Sequence, residues 1–386
     1  MFYICRSDHE NDCIYSENVS EYFFEIGIQC RTLKLSSDSQ RPELHECLNE
    51  DAIGVLGYNS QLDHSWLKSE KFIEAAARLN LPVIHWIMDH PSCRWPEFDA
   101  LAASKSCFLF NSASSEQYFR RFCLPRARTG VIGGVGPNSR SRVSEMSRSS
   151  FLSRPIKCLI PMNLTRVGGT LEKSEALIGE LEDGLAETVK EGIAQAKADL
   201  SEPLEAYLVD ALFERRRGLL NKTFNRCFQL AEETVQGYRR RRIFGIARDY
   251  PVLIQSDGPA RRLVNGGVAA FAENVGMQLT LSNMLSARAV LSVNPLNDEL
   301  HDRTLNGLNA GCVNIVEDNA LHRRVFEHGK NALLFRYGDD SLRECLDIVC
   351  NQPDRAYEIA QAGLALRDDP RFRFGGFQSI LNLMQP

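Results

Sequence analysis

Ala289-Val-Leu-Ser-Val-Asn-Pro-Leu-Asn-Asp-Glu-Leu-His-Asp-Arg-Thr-Leu-Asn-Gly-Leu-Asn-Ala-Gly-Cys-Val-Asn-Ile-Val316 reads in one pass as strand, loop, helix and strand. Ala289–Val293 is a short apolar run of the kind that forms a buried strand, and Asn294-Pro295 breaks it. Asp302 is suited to cap a helix, and Leu305 and Leu308, three residues apart, share its inward face. Strands that alternate with helices build a parallel sheet, and such sheets bind ligands outside the carboxyl ends of their strands. Chemistry is therefore expected in the loop Asn294–Asp302 and the turn after it. First-turn amides beside Arg303, with Asn306 three residues on along one face, make a ready site for a diphosphate.

The same alternation extends both ways from this stretch. Downstream lie helix 320–328, a short strand Ala332–Phe335, and helices 340–350 and 354–366. Upstream lie strands Ile156–Ile160 and 251–255 and helix Met277–Ala287; residues 171–246 read as long helices, with Arg239–Arg242 near a helix C-terminus, where cations complement the helix dipole. The first 136 residues give strands Phe2–Cys5, Thr32–Leu35, Ala52–Leu56, Pro82–Met88, Cys107–Phe110 and Thr129–Ile132. Between them fall helices Glu17–Gly27, Glu70–Leu79 and Ser114–Phe122. The fold class is α/β: two Rossmann-like domains, 1–138 and 156–365, the second containing the helical segment 171–246. Residues 139–154 hold seven serines and four arginines, so 139–155 reads as an exposed linker. The tail 366–386 is aromatic and apolar from Phe372 onward and needs somewhere to pack.

Of 386 residues, 44% are hydrophobic and 25% charged, a globular composition. A net charge of −5 gives no global positive field for nucleic acid or anionic lipid. No apolar run approaches the ~20 residues that span a bilayer, and the first residues lack the basic start of a signal peptide. Peripheral membrane contact stays open. The 12 cysteines are scattered without a CxxC pair or a His/Cys cluster, which predicts reduced thiols, a cytoplasmic protein and no metal site.

The segment from Ala289 to about Gly363 resembles the C-terminal signature of GT-B-fold glycosyltransferases with a compact group-1-like module. The resemblance is carried, in order, by Ser292-Val-Asn-Pro295, His301–Gly311, Cys312–Val316 closing on Glu317-Asp-Asn319, Phe326–Ala332, Gly338-Asp-Asp-Ser341 and Ile359-Ala-Gln-Ala-Gly363. It implies two domains facing a cleft, a nucleotide-diphosphate sugar held mainly by the second domain, and an acceptor against the first. It also implies a C-terminal tail that returns to the N-terminal domain. Carried onto this chain, the donor-binding residues are Arg166, Lys173, Ser256, Asp257, Asn297, Asp298, His301, Arg303, Asn306 and Glu317. Many retaining members carry two glutamates eight positions apart where this chain has Asp298 and Asn306. The implied transfer uses no metal and no cofactor beyond the donor sugar; fixed donors aimed at the leaving diphosphate each contribute on the order of 10²–10³ in rate.

A general base would come from the first domain. Asp89 and His90 follow the strand Pro82–Met88, with Pro91 fixing the turn, and His9 lies in the loop after the first strand. His85, inside the strand, reads as a core histidine. Gly133-Gly-Val-Gly136 is no dinucleotide fingerprint, because no helix follows it. The expected function is glycosyl transfer from a nucleotide sugar to a glycan, lipid or protein acceptor. The alternatives are a nucleotide-sugar 2-epimerase of the same fold and a non-catalytic GT-B-like protein acting through residues 171–246.

Overall fold

Strands buried on both faces must be apolar almost throughout, and Phe2-Tyr-Ile-Cys5 and Cys107-Phe-Leu-Phe110 are, with every one of these residues buried. The computed structural model describes residues 1–6, 10–34, 48, 51–58, 70–93, 98, 106–134, 139–164, 171–199, 202–215, 221–294, 298–338, 340–369, 372 and 376–385. They form two units, each around one six-stranded parallel sheet: residues 1–138 with 373–386, and residues 139–372.

The first sheet comprises β1 (Phe2–Arg6), β2 (Cys30–Lys34), β3 (Gly54–Tyr58), β4 (Val83–Ile87), β5 (Ser106–Phe110) and β6 (Arg128–Val131), in the order β2-β1-β3-β4-β5-β6. Helices α1 (Glu10–Glu25), α2 (Glu70–Arg78) and α3 (Ala113–Phe122) complete the crossovers that are described. Ser112 caps α3 by accepting from the Ser115 amide at 3.1 Å. One face of the sheet is sealed by Phe98, Phe108, Phe110 and Phe119. The other is sealed by Phe2, Phe23 and Trp86 together with Phe377, Ile380 and Leu383 from the end of the chain.

The second sheet comprises β7 (Ile156–Pro161), β8 (Leu253–Ser256), β9 (Ala270–Glu273), β10 (Ala287–Leu291), β11 (Val313–Glu317) and β12 (Leu333–Phe335). Its order, β12-β11-β10-β7-β8-β9, puts the first strand of the unit in the middle. The chain winds outward through β8 and β9, crosses back to β10, and winds out the other way. The reversal between β7 and β10 is the point at which such sheets hold ligands. Its helices are α4 (Arg148–Leu152), α5 (Leu171–Gly179), α6 (Asp183–Ala198), α7 (Glu205–Arg215), α8 (Asn221–Ala247), α9 (Arg261–Val264), α10 (Met277–Leu285), α11 (Asp302–Asn309), α12 (Ala320–Val325), α13 (Ser341–Asn351) and α14 (Pro353–Leu364).

Three sequence expectations change here. Residues 139–155 are largely exposed, as expected, but group with the second unit rather than standing apart as a linker: Ser147 and Ser150 form a capping box on α4, Phe151 is buried, and buried Ser141 bonds Asn306. Serine-rich composition marks caps here, because a hydroxyl can satisfy the amides that a helix end leaves open. Helix α8 continues past Arg239–Arg242 to Ala247, so these arginines sit in its interior. The cap of α11 is His301 rather than Asp302.

The last turn of α11 is closed by buried Arg154, whose guanidinium donates to the oxygens of Ala310 at 2.9 Å, Gly311 at 3.0 Å and Ala287 at 2.8 Å. The chain leaves the helix through Gly311 at φ +63°, a left-handed conformation open to glycine. In the first unit, helix α15 (Gln378–Met384) packs on β5 and β6. It is entered through Gly376 at φ +94°, where a Cβ would stand 2.6 Å from the Ile132 oxygen.

Candidate active site

The carboxyl ends of the second sheet gather polar groups. After β7 the Leu164 amide donates to Asp257 at 2.7 Å, and the Ser256 hydroxyl donates to the same carboxylate at 3.0 Å. Ser256 is buried and Asp257 half-buried. Asp257 thus ties the turn after β8 to the turn after β7. A cavity of about 620 Å³ lined by Leu164, Leu171, Gly237, Arg241, Gly258 and Arg262 opens next to it, on the same edge of the sheet.

After β10, Asn294 is buried and held through both of its nitrogens, its side-chain oxygen finding no partner among the described residues. Its amide donates to the Glu317 carboxylate at 3.1 Å, and its side-chain nitrogen donates to the Glu299 backbone oxygen and to His322 Nε2, the latter at 3.2 Å. The other ring nitrogen of His322 donates to the Glu317 backbone oxygen at 2.6 Å. Burial pushes His322 down to about 4, so the ring is neutral and this tautomer fits both partners. Glu317, at the end of β11, also accepts from the Tyr337 hydroxyl. Burial raises its carboxyl, against the pull of Arg239, Tyr337 and the Asn294 amide. Arg239 of α8 is 2% exposed and lies over the Tyr337 ring, 5.7 Å from its centroid.

At the start of α11, the Arg303 amide is held by Asp302 at 2.8 Å and by His301 Nδ1 at 3.2 Å. Burial would raise Asp302, but His301 and Arg303 outweigh it and hold the carboxyl well below the usual range. A carboxylate therefore occupies the first-turn amide that the sequence offered to a phosphate. The Arg303 side chain is half-buried, and among the described residues none forms an ion pair or hydrogen bond with its guanidinium.

The candidate residues divide accordingly. Ser256, Asp257, Asp298, His301 and Arg303 stand at the carboxyl edge with Glu317 beneath them. Asn306 is buried and turned inward, accepting from Ser141 at 2.8 Å and donating to the Asp302 oxygen at 2.9 Å. Lys173 is exposed in the first turn of α5. His9, Arg166 and Asn297 lie outside the described residues. In the first unit, Asp89 is half-buried just beyond β4. His90 is 1% exposed, its Nδ1 2.8 Å from the Ser92 hydroxyl and its ring against Tyr118 at 4.5 Å. His85 is buried against Phe108 and Ser106, and burial pushes it down to about 3. Sequence reasoning passed over Asn294, His322, Tyr337 and Arg239. The run of four arginines at 239–242 was the available signal for the last.

None of the described cysteines forms a disulfide. Among the described residues no three metal-ligating side chains gather, and no helix is long and apolar enough to cross a membrane.

Residues 226–369 match a family model described as glycosyl transferase-like; the match begins inside α8 and so takes in Arg239. No curated protein matches the chain in sequence. Among solved structures, the DNA-modifying enzyme β-glucosyltransferase, determined in the presence and absence of its substrate uridine diphosphoglucose, aligns with a TM-score of 0.53 at 8% identity, over 100% of this chain and 99% of that one. HepE of Anabaena in complex with UDP-glucose gives 0.49 at 10% identity, over 99% and 98%. WaaG, a glycosyltransferase involved in lipopolysaccharide biosynthesis, gives 0.47 at 9% identity, over 99% of each. The two Rossmann-like units of six parallel strands share the fold of that β-glucosyltransferase, and the second carries a glycosyl transferase-like module. The module is of the group-1-like kind, and β10, α11, β11 and β12 all fall within it.

Proposed function

We propose that this chain moves a sugar from a nucleoside-diphosphate sugar to an acceptor glycan, lipid or protein, with the diphosphate charge met by protein cations. The observation that carries the reading is the Arg303 guanidinium. It stands half-buried in the first turn of α11, beside the reversal between β7 and β10, and among the described residues it makes no hydrogen bond or ion pair, only a longer-range electrostatic interaction with Asp302 and His301.

As the sugar leaves, negative charge builds on the nucleoside diphosphate, and a cation already fixed there lowers the barrier without reorganising. Asp302 covers the first-turn amide, so the side chain of Arg303 rather than the helix end does this, with Lys173 and Arg166 as further cations. Asp298 would accept from sugar hydroxyls. The cavity beside Asp257 is of a size that takes a nucleotide base. The shared fold of a glucosyltransferase that uses uridine diphosphoglucose supports this donor class. Asp89, half-buried and beyond the end of its strand, is the proposed base for the acceptor proton.

A panel of nucleoside-diphosphate sugars, screened by thermal shift and by slow nucleotide release without acceptor, tests this. One donor that stabilises and is slowly hydrolysed is the expected result. An isomerised sugar would indicate a 2-epimerase, and no response to any donor would leave a binding protein.

A further inference from the structure

We propose that Glu317 is a positioning residue: it does not touch the donor but fixes the backbone that leaves β10, and Arg239 of the long helix α8 sets its charge, which makes that helix part of the donor site. The proposal rests on the donor reading above for its effect on turnover, but not for its effect on the backbone.

Glu317 is 3% exposed, and both carboxylate oxygens are engaged inside the unit. One accepts from the Asn294 amide at 3.1 Å, the other from the Tyr337 hydroxyl. A group so enclosed has no oxygen to offer a sugar. What it does hold is Asn294, and Asn294 in turn holds Glu299 across the connection to α11. His322 braces the same residue from the other side and takes its own orientation from the Glu317 backbone. Asp298, His301 and Arg303 follow directly, so the placement of the proposed donor contacts descends from this carboxylate.

A buried carboxylate stays ionised only if something opposes its loss of solvent. Arg239 is the cation placed to do so, buried over the Tyr337 ring and tied by its own guanidinium to the Glu202 oxygen at 3.1 Å. Glu232, a buried acid on the same helix, works against it. The chain of contacts runs from α8 through Tyr337 to Glu317, Asn294 and the start of α11.

Hydrogen exchange and nucleotide binding on the intact protein test this together. In Glu317→Gln and the milder Tyr337→Phe, amides of 292–305 should exchange about tenfold faster while the rest of the second unit is unchanged. Arg239→Met should do the same, and combining it with Glu317→Gln should add little within 292–305, because there both act through the Tyr337–Glu317 contact. If a donor has been found, each single variant should weaken it by about tenfold, and Arg239→Lys should restore part of the loss. Unchanged exchange in 292–305, faster exchange throughout the unit, or additive effects of the two substitutions would each overturn the proposal. Faster local exchange with no nucleotide response in the parent protein would instead count against the donor reading alone.

Discussion

The Ser141 hydroxyl donates to Oδ1 of Asn306 at 2.8 Å, and this bond turns a residue of the expected donor surface into a strut. Ser141 also accepts from Asn309 at 3.1 Å, so one hydroxyl joins residues 139–141 to two positions of α11. Asn306→Ala should therefore cost about 1–3 kcal/mol of stability and leave donor affinity almost unchanged. Ser141→Ala should fall in the same range, and the double variant should cost less than the sum. Urea midpoints with a donor titration check this; a large loss of donor affinity in Asn306→Ala would return the residue to the binding surface.

Arg303→Ala should abolish donor-dependent stabilisation while leaving the melting temperature of the free protein within a degree or two, since among the described residues its guanidinium makes no hydrogen bond or ion pair and acts on Asp302 only through space. Saturating donor at ~100 times its dissociation constant adds about 2.7 kcal/mol to the parent, so the contrast is easily read in a thermal scan.

Asp89 and His90 should separate. Asp89→Asn should lower turnover by 10²-fold or more, a loss in the range of about 10²–10⁴ expected for a general base, with the fold and donor binding kept. His90→Ala should first lower stability, by about 2–4 kcal/mol, because the ring is buried between Ser92 and Tyr118. Turnover of Asp89→Asn equal to the parent would move the base to another residue.

Acid should weaken the first unit through His85. Burial holds its folded pKa at about 3, against ~6.5 in the unfolded chain. Between those values the unfolded chain binds the extra proton, so the contribution is complete above pH ~6.5 and is lost as pH falls toward 3. Urea midpoints from pH 7 to 4.5 should fall less steeply for His85→Phe than for the parent.

Much of this was legible in the residues. Strands such as Cys107–Phe110 announce themselves by apolar content, and 289–316 discloses its strand, loop and helix without help. Strand β9 does not: Ala-Phe-Ala-Glu is short, exposed at both ends and preceded by Gly266-Gly267, as an edge strand with one unpaired side allows. The site was readable as a place but not as a set of roles. Asn306 and Glu317 carry polar groups that suit a ligand, and only packing reveals that Ser141 and Tyr337 have claimed them. Arg239 was hidden by its neighbours, since a run of four arginines suggests a solvated helix end until the helix is seen to continue.

Phe377→Ala should destabilise the first unit by about 3–5 kcal/mol, since the ring is buried against Tyr22 and Trp86 at 5.4 and 6.0 Å. The second unit should melt as before. Two calorimetric transitions, only one of them shifted, would be the signature; an unshifted first transition would mean that α15 adds nothing to that core.

Because α15 is made after the whole of the second unit yet seals a face of the first sheet, the first unit cannot mature in the order of its synthesis. A nascent chain stalled anywhere before Gly376 would carry Phe2, Phe23 and Trp86 without their cover. Until Gln378–Met384 is free to pack, the early half of the chain therefore carries an open apolar face of the kind that chaperones bind.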